Sequence, residues 1–385
     1  MKIIKTLAAI TFFSAVTANA QQAFYGDPPD EHHPWAIHDD NRPQPPRVEP
    51  GDRPSDAISL FDGTNLKENW LATKDPKGPA NWDVVDGKIL QCKPGAGDII
   101  SKEHFGDCQL HIEWSAPTDV KGSSQGRGNS GVFFMGKTEI QVLDNYNNPT
   151  YADGFAGSVY GVNPPMANAL RKPGEFNVYD IVFRRPIFKD GKEVDPGHVT
   201  VFCNGVLLQD ATPLEGGGGH KGRSKSKAFP EKGPLKLQDH GNTTQFRNIW
   251  IRPLPPRSVE GGDSGKLSPE ATAAKRKEIA ANIREDAKKM LADGKEKGGT
   301  MRLFESLIYD NDDDTRAFAI QLTEEGIKEM ESAPSEALEK QKGEIMQVRN
   351  AFNYLIKHKI LPADFGPKKI IEQVIEKQGW NKKKP

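Results

Sequence analysis

The sequence contains little cysteine, almost no net charge and few long apolar runs. Its three cysteines, Cys92, Cys108 and Cys203, match no metal-binding spacing in a chain of 385 residues. We expect them to be small buried side chains, although an exported protein could pair Cys92 with Cys108. Basic residues number 52 and acidic residues 53, so the charge indicates neither nucleic acid nor an anionic membrane as a partner.

One apolar run stands at the N-terminus. Lys2 and Lys5 precede the run Leu7–Val16, which is too short to cross a bilayer, and Ala18 and Ala20 form a small-residue cleavage pattern. This arrangement predicts a bacterial secretory signal peptide over residues 1–20, with a membrane anchor as the alternative. No later segment could span a membrane, so we expect an exported protein, periplasmic or extracellular.

Apolar residues make up only 36% of the chain, and 37 glycines and 29 prolines favour many turns. Residues 21–56, rich in Pro, His and Asp, are expected to form an arm or linker. Residues 57–256 show short alternating segments, which predict an all-β sandwich or jelly roll. In residues 257–385 the apolar residues have helical spacing after Ser268-Pro269, which predicts a linker and a helical accessory domain.

Turn signals divide the β region. Asp86-Gly87, Asp190-Gly191 and Asn204-Gly205 each stand between alternating segments. Such pairs tolerate positive φ at both central positions of a two-residue turn. They predict β-hairpins at these three places.

Three predicted strands carry polar side chains on one face. In Gln109–Trp114, Thr138–Asp144 and Leu235–His240, apolar residues alternate with groups that form hydrogen bonds. If these strands share a sheet, its outer face collects the side chains of Glu113, Glu139, Gln141, Gln238 and His240. The face is then either a sugar site or only the water-exposed side of the sheet. Aromatic residues of the loop 145–160, including Tyr160, would supply a sugar platform or simply pack within the loop.

Several blocks of the β region resemble one known family. They run in order from Leu60–Thr64 through Asn129–Phe134, Glu139–Asp144 and Gly174–Asn177, and end at Leu237–Asn242 and Phe246–Ile249. Over about residues 57–254 the chain resembles the 3-keto-disaccharide hydrolase family. Phe176 departs from the family pattern, which has Trp there, and this conservative aromatic change should not remove activity.

The resemblance implies a concanavalin-like jelly roll that binds a 3-keto-glucoside or 3-keto-disaccharide. It implies a 3-keto-glucoside 1,2-lyase, a hydratase of the resulting 3-keto-2-hydroxy-glucal, or both activities, with net hydrolysis as the outcome. A partner sugar 3-oxidoreductase would make the 3-keto sugar. A ketone at C3 acidifies the C2 hydrogen, so a general base can start the elimination.

Glu139 is the expected base and His240 the expected acid, with Asp239 or Asp144 as an orienter of His240. The expected substrate-binding residues share groups that form hydrogen bonds with a sugar: Glu113, Gln141, Asp144, Gln238 and Tyr160. A divalent metal held by Glu113, Glu139 and His240 would stabilise the enolate, but the sequence neither requires nor excludes it.

Three alternatives stay open. A non-catalytic carbohydrate-binding module would have the same fold. A conventional glycoside hydrolase would use two carboxylates, such as Glu113 and Glu139. A cell-surface interaction protein would dock through the helical tail. The sequence does not determine the sugar, its linkage, whether the protein acts as a lyase, a hydratase or both, or the oligomeric state.

Overall fold

The computed structural model describes residues 23–75, 78–216, 218–223, 229–257 and 267–381. The predicted signal peptide, residues 1–20, lies outside this range. The described residues form two compact units. One contains residues 46–257, and the other contains residues 23–45 together with 267–381.

The first unit consists mainly of β-strands. Their bounds are β1 Ile58–Phe61, β2 Trp70–Ala72, β3 Asp83–Val85, β4 Ile89–Gln91, β5 Ile99–Phe105, β6 Cys108–Ser115, β7 Ser130–Phe134, β8 Thr138–Val142, β9 Asn177–Arg184, β10 Ile187–Lys189, β11 Lys192–Asp195, β12 His198–Cys203, β13 Val206–Pro213, β14 Gly233–Leu237 and β15 Gln245–Pro253. A short helix, Leu66–Asn69, and two 3₁₀ turns, Ser124–Gly126 and Ala152–Gly154, lie between strands.

Two antiparallel sheets account for most of these strands. The eight-stranded sheet has the order β13-β12-β9-β6-β15-β4-β3, with β1 also paired to β15. The five-stranded sheet has the order β2-β5-β14-β7-β8. Strands β10 and β11 form a separate hairpin.

The two sheets share one hydrophobic core. In β9 the buried residues alternate with partly exposed ones, as expected for a strand with one face turned to a core. Phe183 of β9 stacks on Phe134 of β7, with ring centroids 4.6 Å apart. The Tyr179 hydroxyl donates a hydrogen bond of 2.9 Å to the carbonyl of Gln141 on the opposite sheet. The unit is therefore an open sandwich of antiparallel sheets, which confirms the predicted β architecture.

The predicted hairpin turns are confirmed. Both residues of Asp86-Gly87, Asp190-Gly191 and Asn204-Gly205 have positive φ, between 50° and 81°. These turns join β3 to β4, β10 to β11 and β12 to β13. A turn with two positive φ values matches the twist of the strands that it connects. The cysteine prediction is also confirmed, because Cys92, Cys108 and Cys203 are buried and unpaired.

The second unit is helical. Its helices span Pro269–Ala292, Glu296–Tyr309, Asp313–Ser332, Ser335–Lys340, Lys342–Lys357 and Gly366–Lys377. The Ser268 hydroxyl accepts a 3.2 Å hydrogen bond from the backbone N–H of Ala271, so the predicted N-cap is confirmed. Within the described ranges, no helix combines the length and the apolar character that crossing a bilayer demands.

The arm divides between the two units. Residues 23–45 pack with the helices, and the Tyr354 hydroxyl donates a 2.8 Å hydrogen bond to the carbonyl of Gly26. Residues from 46 onward lie with the β unit, where the Trp250 indole donates a 3.0 Å hydrogen bond to the carbonyl of Asp52. Much of the arm is thus anchored on neighbouring structure.

Candidate functional site

A hollow of about 640 Å³ lies on the outer face of the five-stranded sheet, away from the shared core. We call it the sheet hollow. Its lining is mostly polar and aromatic: Gln125, Gly126, Asn129, Phe133, Glu139, Gln141, Tyr151, Tyr160, Gly218, Gly219, His220, Lys236, Gln238 and His240. Five of the seven residues that the sequence selected lie here. Four of them come from β8 and from the end of β14, which both pair with β7, and Tyr160 comes from the loop after β8.

The pairing of β7 with β8 and β14 places the residues that form the floor of the sheet hollow. Phe133 of β7 stands between Lys236 of β14 and Glu139 of β8. Two residues earlier in β7, Gly131 pairs with Gln141. Residues two apart in a strand share a face, so these positions form two neighbouring rows. Gly131 adds no side chain to its row, which leaves space for the groups on either side.

Glu139 is half-buried in this floor. Burial raises the pKa of its carboxyl to about 7, since the charged form loses contact with water. The positive charge of Lys236 acts in the opposite direction, and the carboxylate of Asp98 adds to the increase. Among the described residues, none donates a hydrogen bond to the Glu139 carboxyl. Such a group can exchange a proton near neutral pH.

Lys236 brings a cation to the same floor. Its ammonium lies 3.0 Å from Asp98 Oδ2 and 3.7 Å from the centroid of the Phe133 ring. Lys236 alternates with Leu235 and Leu237 in the sequence, like Gln238 and His240, but it was not among the expected site residues. The alternation that indicated Gln238 and His240 could have found it.

Two tyrosines and a histidine stand at the rim of the sheet hollow. The Tyr160 hydroxyl lies 2.6 Å from the Tyr151 hydroxyl and 3.3 Å from His220 Nδ1. Burial raises the pKa of Tyr160, and the hydrogen bond with Tyr151 adds to the increase. The phenol of Tyr160 therefore stays neutral and can donate a hydrogen bond at ordinary pH. His220 comes from a distant loop, and no periodic signal in the sequence indicated it.

The two glutamines differ in their partners. Gln141 is buried, and its Nε2 donates a 3.0 Å hydrogen bond to Gln125 Oε1. Gln238 lines the sheet hollow, and its Oε1 is a buried acceptor with no hydrogen-bond partner in the described part of the chain. An unpaired buried acceptor costs about 1–3 kcal/mol.

A second hollow of about 510 Å³ adjoins the first, and we call it the side hollow. It shares Gly126 and His240 with the sheet hollow. Asp144 lies in the side hollow, where its buried carboxylate pairs with Arg127 Nε at 2.7 Å. Asp239, the other expected orienter of His240, accepts hydrogen bonds from the backbone N–H groups of Gly97 and Gly241 instead.

Comparison with known proteins identifies the family. The segment 56–252 matches the 3-keto-alpha-glucoside-1,2-lyase-like domain. The chain belongs to this family. The resemblance found in the sequence is thereby confirmed.

Two relatives of this lyase-like domain are informative. A 3-keto-disaccharide hydrolase of Bacteroides thetaiotaomicron is 26% identical over 246 residues, which span 51% of this chain and 78% of the relative. A solved structure from Parabacteroides distasonis, described provisionally as a glycosyl hydrolase, is 47% identical with a TM-score of 0.54. The match covers 57% of this chain and 95% of that one.

Glu113 does not line the sheet hollow of the lyase-like domain. Strand β6 lies in the eight-stranded sheet between β9 and β15, so the expectation that the three polar strands share a sheet is wrong for β6. Glu113 accepts hydrogen bonds from Arg247 at 2.6 Å and Asn248 at 3.0 Å. Burial alone would raise its pKa, but these hydrogen bonds outweigh it and lower the pKa. Glu113 is thus a fixed, ionised group on the other sheet.

The expected metal set of the lyase-like domain needs the same correction. Glu113 lies on a different sheet from Glu139 and is held by Arg247, so Glu113, Glu139 and His240 do not fit around one ion. Within the described ranges, no group of three or more His, Cys, Asp or Glu side chains is placed to hold a metal.

Proposed function

We propose that the β unit cleaves 3-keto-glycosides by abstracting the C2 proton and eliminating the C1 substituent. The observation that carries this proposal is Glu139, a carboxyl with a pKa of about 7 in a hollow of sugar size. A general base works best when its pKa lies near the operating pH. Family membership and the name of the Bacteroides relative support a 3-keto sugar as the substrate.

Groups at the site can accept and supply the protons that the elimination requires. Glu139 takes the proton from C2, and the electrons of that C–H bond form the enolate of the C3 ketone. The Lys236 ammonium stabilises the negative charge on the enolate oxygen. The enolate then forms the C1=C2 double bond and expels the C1 oxygen, which takes a proton from His240. Addition of water to the glycal gives the free 3-keto sugar and completes net hydrolysis.

The remaining lining positions the sugar. Amide groups of Gln141, Gln238 and Asn129 and the neutral hydroxyl of Tyr160 can exchange hydrogen bonds with sugar hydroxyls. The rings of Tyr151 and Tyr160 supply apolar surface at the rim. We further propose that the open sandwich has the concanavalin-like jelly-roll connectivity that the family resemblance implied.

The two-carboxylate alternative has less support. A glycosidase of that kind needs a pair of carboxyl groups flanking one bond. Glu113, the expected partner of Glu139, lies on the other sheet in an ion pair with Arg247. The non-catalytic binding module remains an outcome of the experiment below, because it would bind sugar without turnover.

The supply of substrate belongs to the same proposal. A ketone at C3 must be made by oxidation of the sugar, so a separate sugar 3-oxidoreductase would act before this protein. We also propose that the protein works outside the cytoplasm, as the signal-peptide pattern of residues 1–20 predicts.

The test is Glu139→Gln, which keeps the size of the side chain and removes the base. Incubation with a set of 3-keto-glucosides should give the 2-hydroxy-glucal and the free 3-keto sugar with the wild-type protein. The variant should lose at least about a hundredfold in kcat. Glu103→Gln, on an exposed position of β5 in the same sheet, is the matched control and should keep the wild-type rate. Wild-type turnover by Glu139→Gln would reject the proposed base, and sugar binding without any turnover would favour the binding module.

A further inference from the structure

Asp98 lies next to the sheet hollow without lining it. It directly precedes β5, the strand that pairs with β14. Its Oδ2 accepts the 3.0 Å hydrogen bond from the Lys236 ammonium, and its Oδ1 accepts a 2.9 Å hydrogen bond from the backbone N–H of Asp239. One carboxylate thus contacts both a floor residue of the hollow and the backbone that follows Gln238.

The contact between Asp98 and Asp239 is reciprocal. The Oδ2 of Asp239 accepts a 2.8 Å hydrogen bond from the backbone N–H of Gly97, the residue before Asp98. The backbone N–H and the hydroxyl of Thr73 each donate a 2.9 Å hydrogen bond to the Asp98 carbonyl. Asp98 is therefore fixed through its backbone and through Oδ1, so its Oδ2 is a stationary partner for Lys236.

The position of the Lys236 ammonium determines which charge it can stabilise. A lysine side chain has a flexible stem and three donors, so its charge is directed only when other groups fix it. Among the described residues, Lys236 forms its ion pair with Asp98 and not with Glu139. The Phe133 ring packs against the same ammonium. A direct pair with Glu139 would instead make that carboxylate a weaker base and occupy the charge that the enolate requires.

We propose that Asp98 is a positioning residue for the elimination, which holds the Lys236 ammonium for the enolate oxygen and keeps it from pairing with Glu139. This inference rests on the proposed function and deepens it, because it adds a residue that acts only through Lys236. Asp98 accepts one of three ammonium donors, so donors remain for the enolate. A charge that is fixed before the reaction needs no reorganisation as the enolate forms.

The test is Asp98→Asn, which keeps the size of the side chain. The amide oxygen can still accept the hydrogen bond from the backbone N–H of Asp239, but the amide nitrogen cannot accept one from the Lys236 ammonium. On a 3-keto-glucoside at pH 9, where Glu139 is ionised, kcat should fall by at least about tenfold. KM should stay within about threefold, because Asp98 does not touch the substrate.

A pH–rate profile distinguishes positioning from a merely structural role. The charged and titratable groups around Glu139 are Lys236, Asp98, Tyr160, His220 and His240. Asp98→Asn removes the negative charge that raises the pKa of Glu139 and leaves the opposing charge of Lys236. The acid limb of kcat/KM should therefore move to lower pH, opposite to the shift expected for Lys236→Met.

A double-mutant cycle tests whether Asp98 acts through Lys236. In the Lys236→Met background, Asp98→Asn should cost less than about twofold in kcat, because the ammonium that it positions is absent. Asp56→Asn is the matched control, since it breaks a 2.7 Å ion pair with Arg252 on the other sheet. It should leave kcat and the acid limb unchanged.

Three results would overturn the inference. These are a wild-type kcat in Asp98→Asn, an acid limb that stays in place, and an equal loss of kcat in both backgrounds, which is what a misfolded variant would give. In each case the proposed function would stand, provided that Glu139→Gln remains inactive. If the wild-type protein turned over no 3-keto-glucoside, the proposed function itself would fail, and the inference with it.

Discussion

The carboxyl of Glu139 occupies the space that a side chain on Gly131 would fill. A Cβ atom built on Gly131 would clash with Glu139 Oε1 and would come within 2.7 Å of the Phe133 ring. Gly131 lies diagonally opposite Glu139 on the neighbouring strand, where long side chains reach each other. The glycine thus permits an acid to lie low in the floor of the sheet hollow, where burial raises its pKa.

Gly131→Ala should displace the Glu139 carboxyl and lower kcat by about tenfold to a hundredfold, because small errors in the position of a base are costly. Gly51→Ala is the control, since its Cβ would meet only one backbone oxygen at an ordinary 3.6 Å. Steady-state kinetics on a 3-keto-glucoside checks both variants. Wild-type kcat in Gly131→Ala, in a folded protein, would contradict the role of this contact.

The pH dependence of turnover should follow the protonation of the Glu139 carboxyl. The wild-type kcat/KM should fall as the pH drops below about 7, because the base becomes protonated. Lys236→Met removes the positive charge that lowers the pKa of Glu139, so the acid limb should move to higher pH. Lys102→Met, at an exposed position on β5, should leave the limb in place. A pH–rate profile measures the shift, and an unmoved limb in Lys236→Met would argue against coupling between Lys236 and Glu139.

Glu139 should also make the protein less stable at high pH. Its carboxyl has a pKa of about 7 in the folded state against an ordinary value of 4.5, so the folded state binds the proton more tightly. Stability therefore falls as the pH rises from about 4.5 to 7, and the loss is complete above 7. The difference in unfolding free energy between Glu139→Gln and the wild type should therefore change with pH. It should favour the variant by about 1–3 kcal/mol more at pH 8 than at pH 5.

Denaturant unfolding at the two pH values measures this gain. Glu103→Gln serves again as the control, since it removes a carboxyl from an exposed position of the same sheet. If the unfolding free energy of Glu139→Gln differed from that of the wild type by the same amount at pH 5 and pH 8, the carboxylate of Glu139 would not be destabilised by burial.

Glu113→Gln tests whether Glu113 acts together with Glu139, as the two-carboxylate alternative requires. It should keep kcat within about twofold, because Glu113 lies on the other sheet. It should lower the unfolding free energy by about 1 kcal/mol at pH 7, since the ion pair with Arg247 is lost. Kinetics and denaturant unfolding check the two effects. A loss of turnover as large as that of Glu139→Gln would favour the two-carboxylate mechanism.

Local features of the fold could be predicted from the sequence. The hairpin at Asn204-Gly205 and the cap at Ser268 each depend on a few neighbouring residues, so the sequence contains the whole signal. Alternation also predicted that Glu139 and Gln238 are site residues. Their strands do belong to one sheet, and both side chains line the sheet hollow.

Long-range pairing could not be predicted in the same way. Alternation shows that Glu113 faces away from the core, but both sheets of a sandwich have such a face. The sequence therefore could not tell which sheet receives β6. His220 reaches Tyr160 from a loop 60 residues away, and loops carry no periodic signal. Lys236 differs from these, because it alternates with Leu235 and Leu237 and its position on the polar face could be predicted.

The fate of the C2 hydrogen tests the central claim most directly. A 3-keto-glucoside that carries deuterium at C2 should be incubated with the wild-type protein, and the label in the free 3-keto sugar should be measured. Proton abstraction by Glu139 predicts that the deuterium is lost to water during cleavage and that Glu139→Gln neither cleaves nor exchanges. Cleavage of the C1–oxygen bond with the deuterium fully retained at C2 would contradict the account.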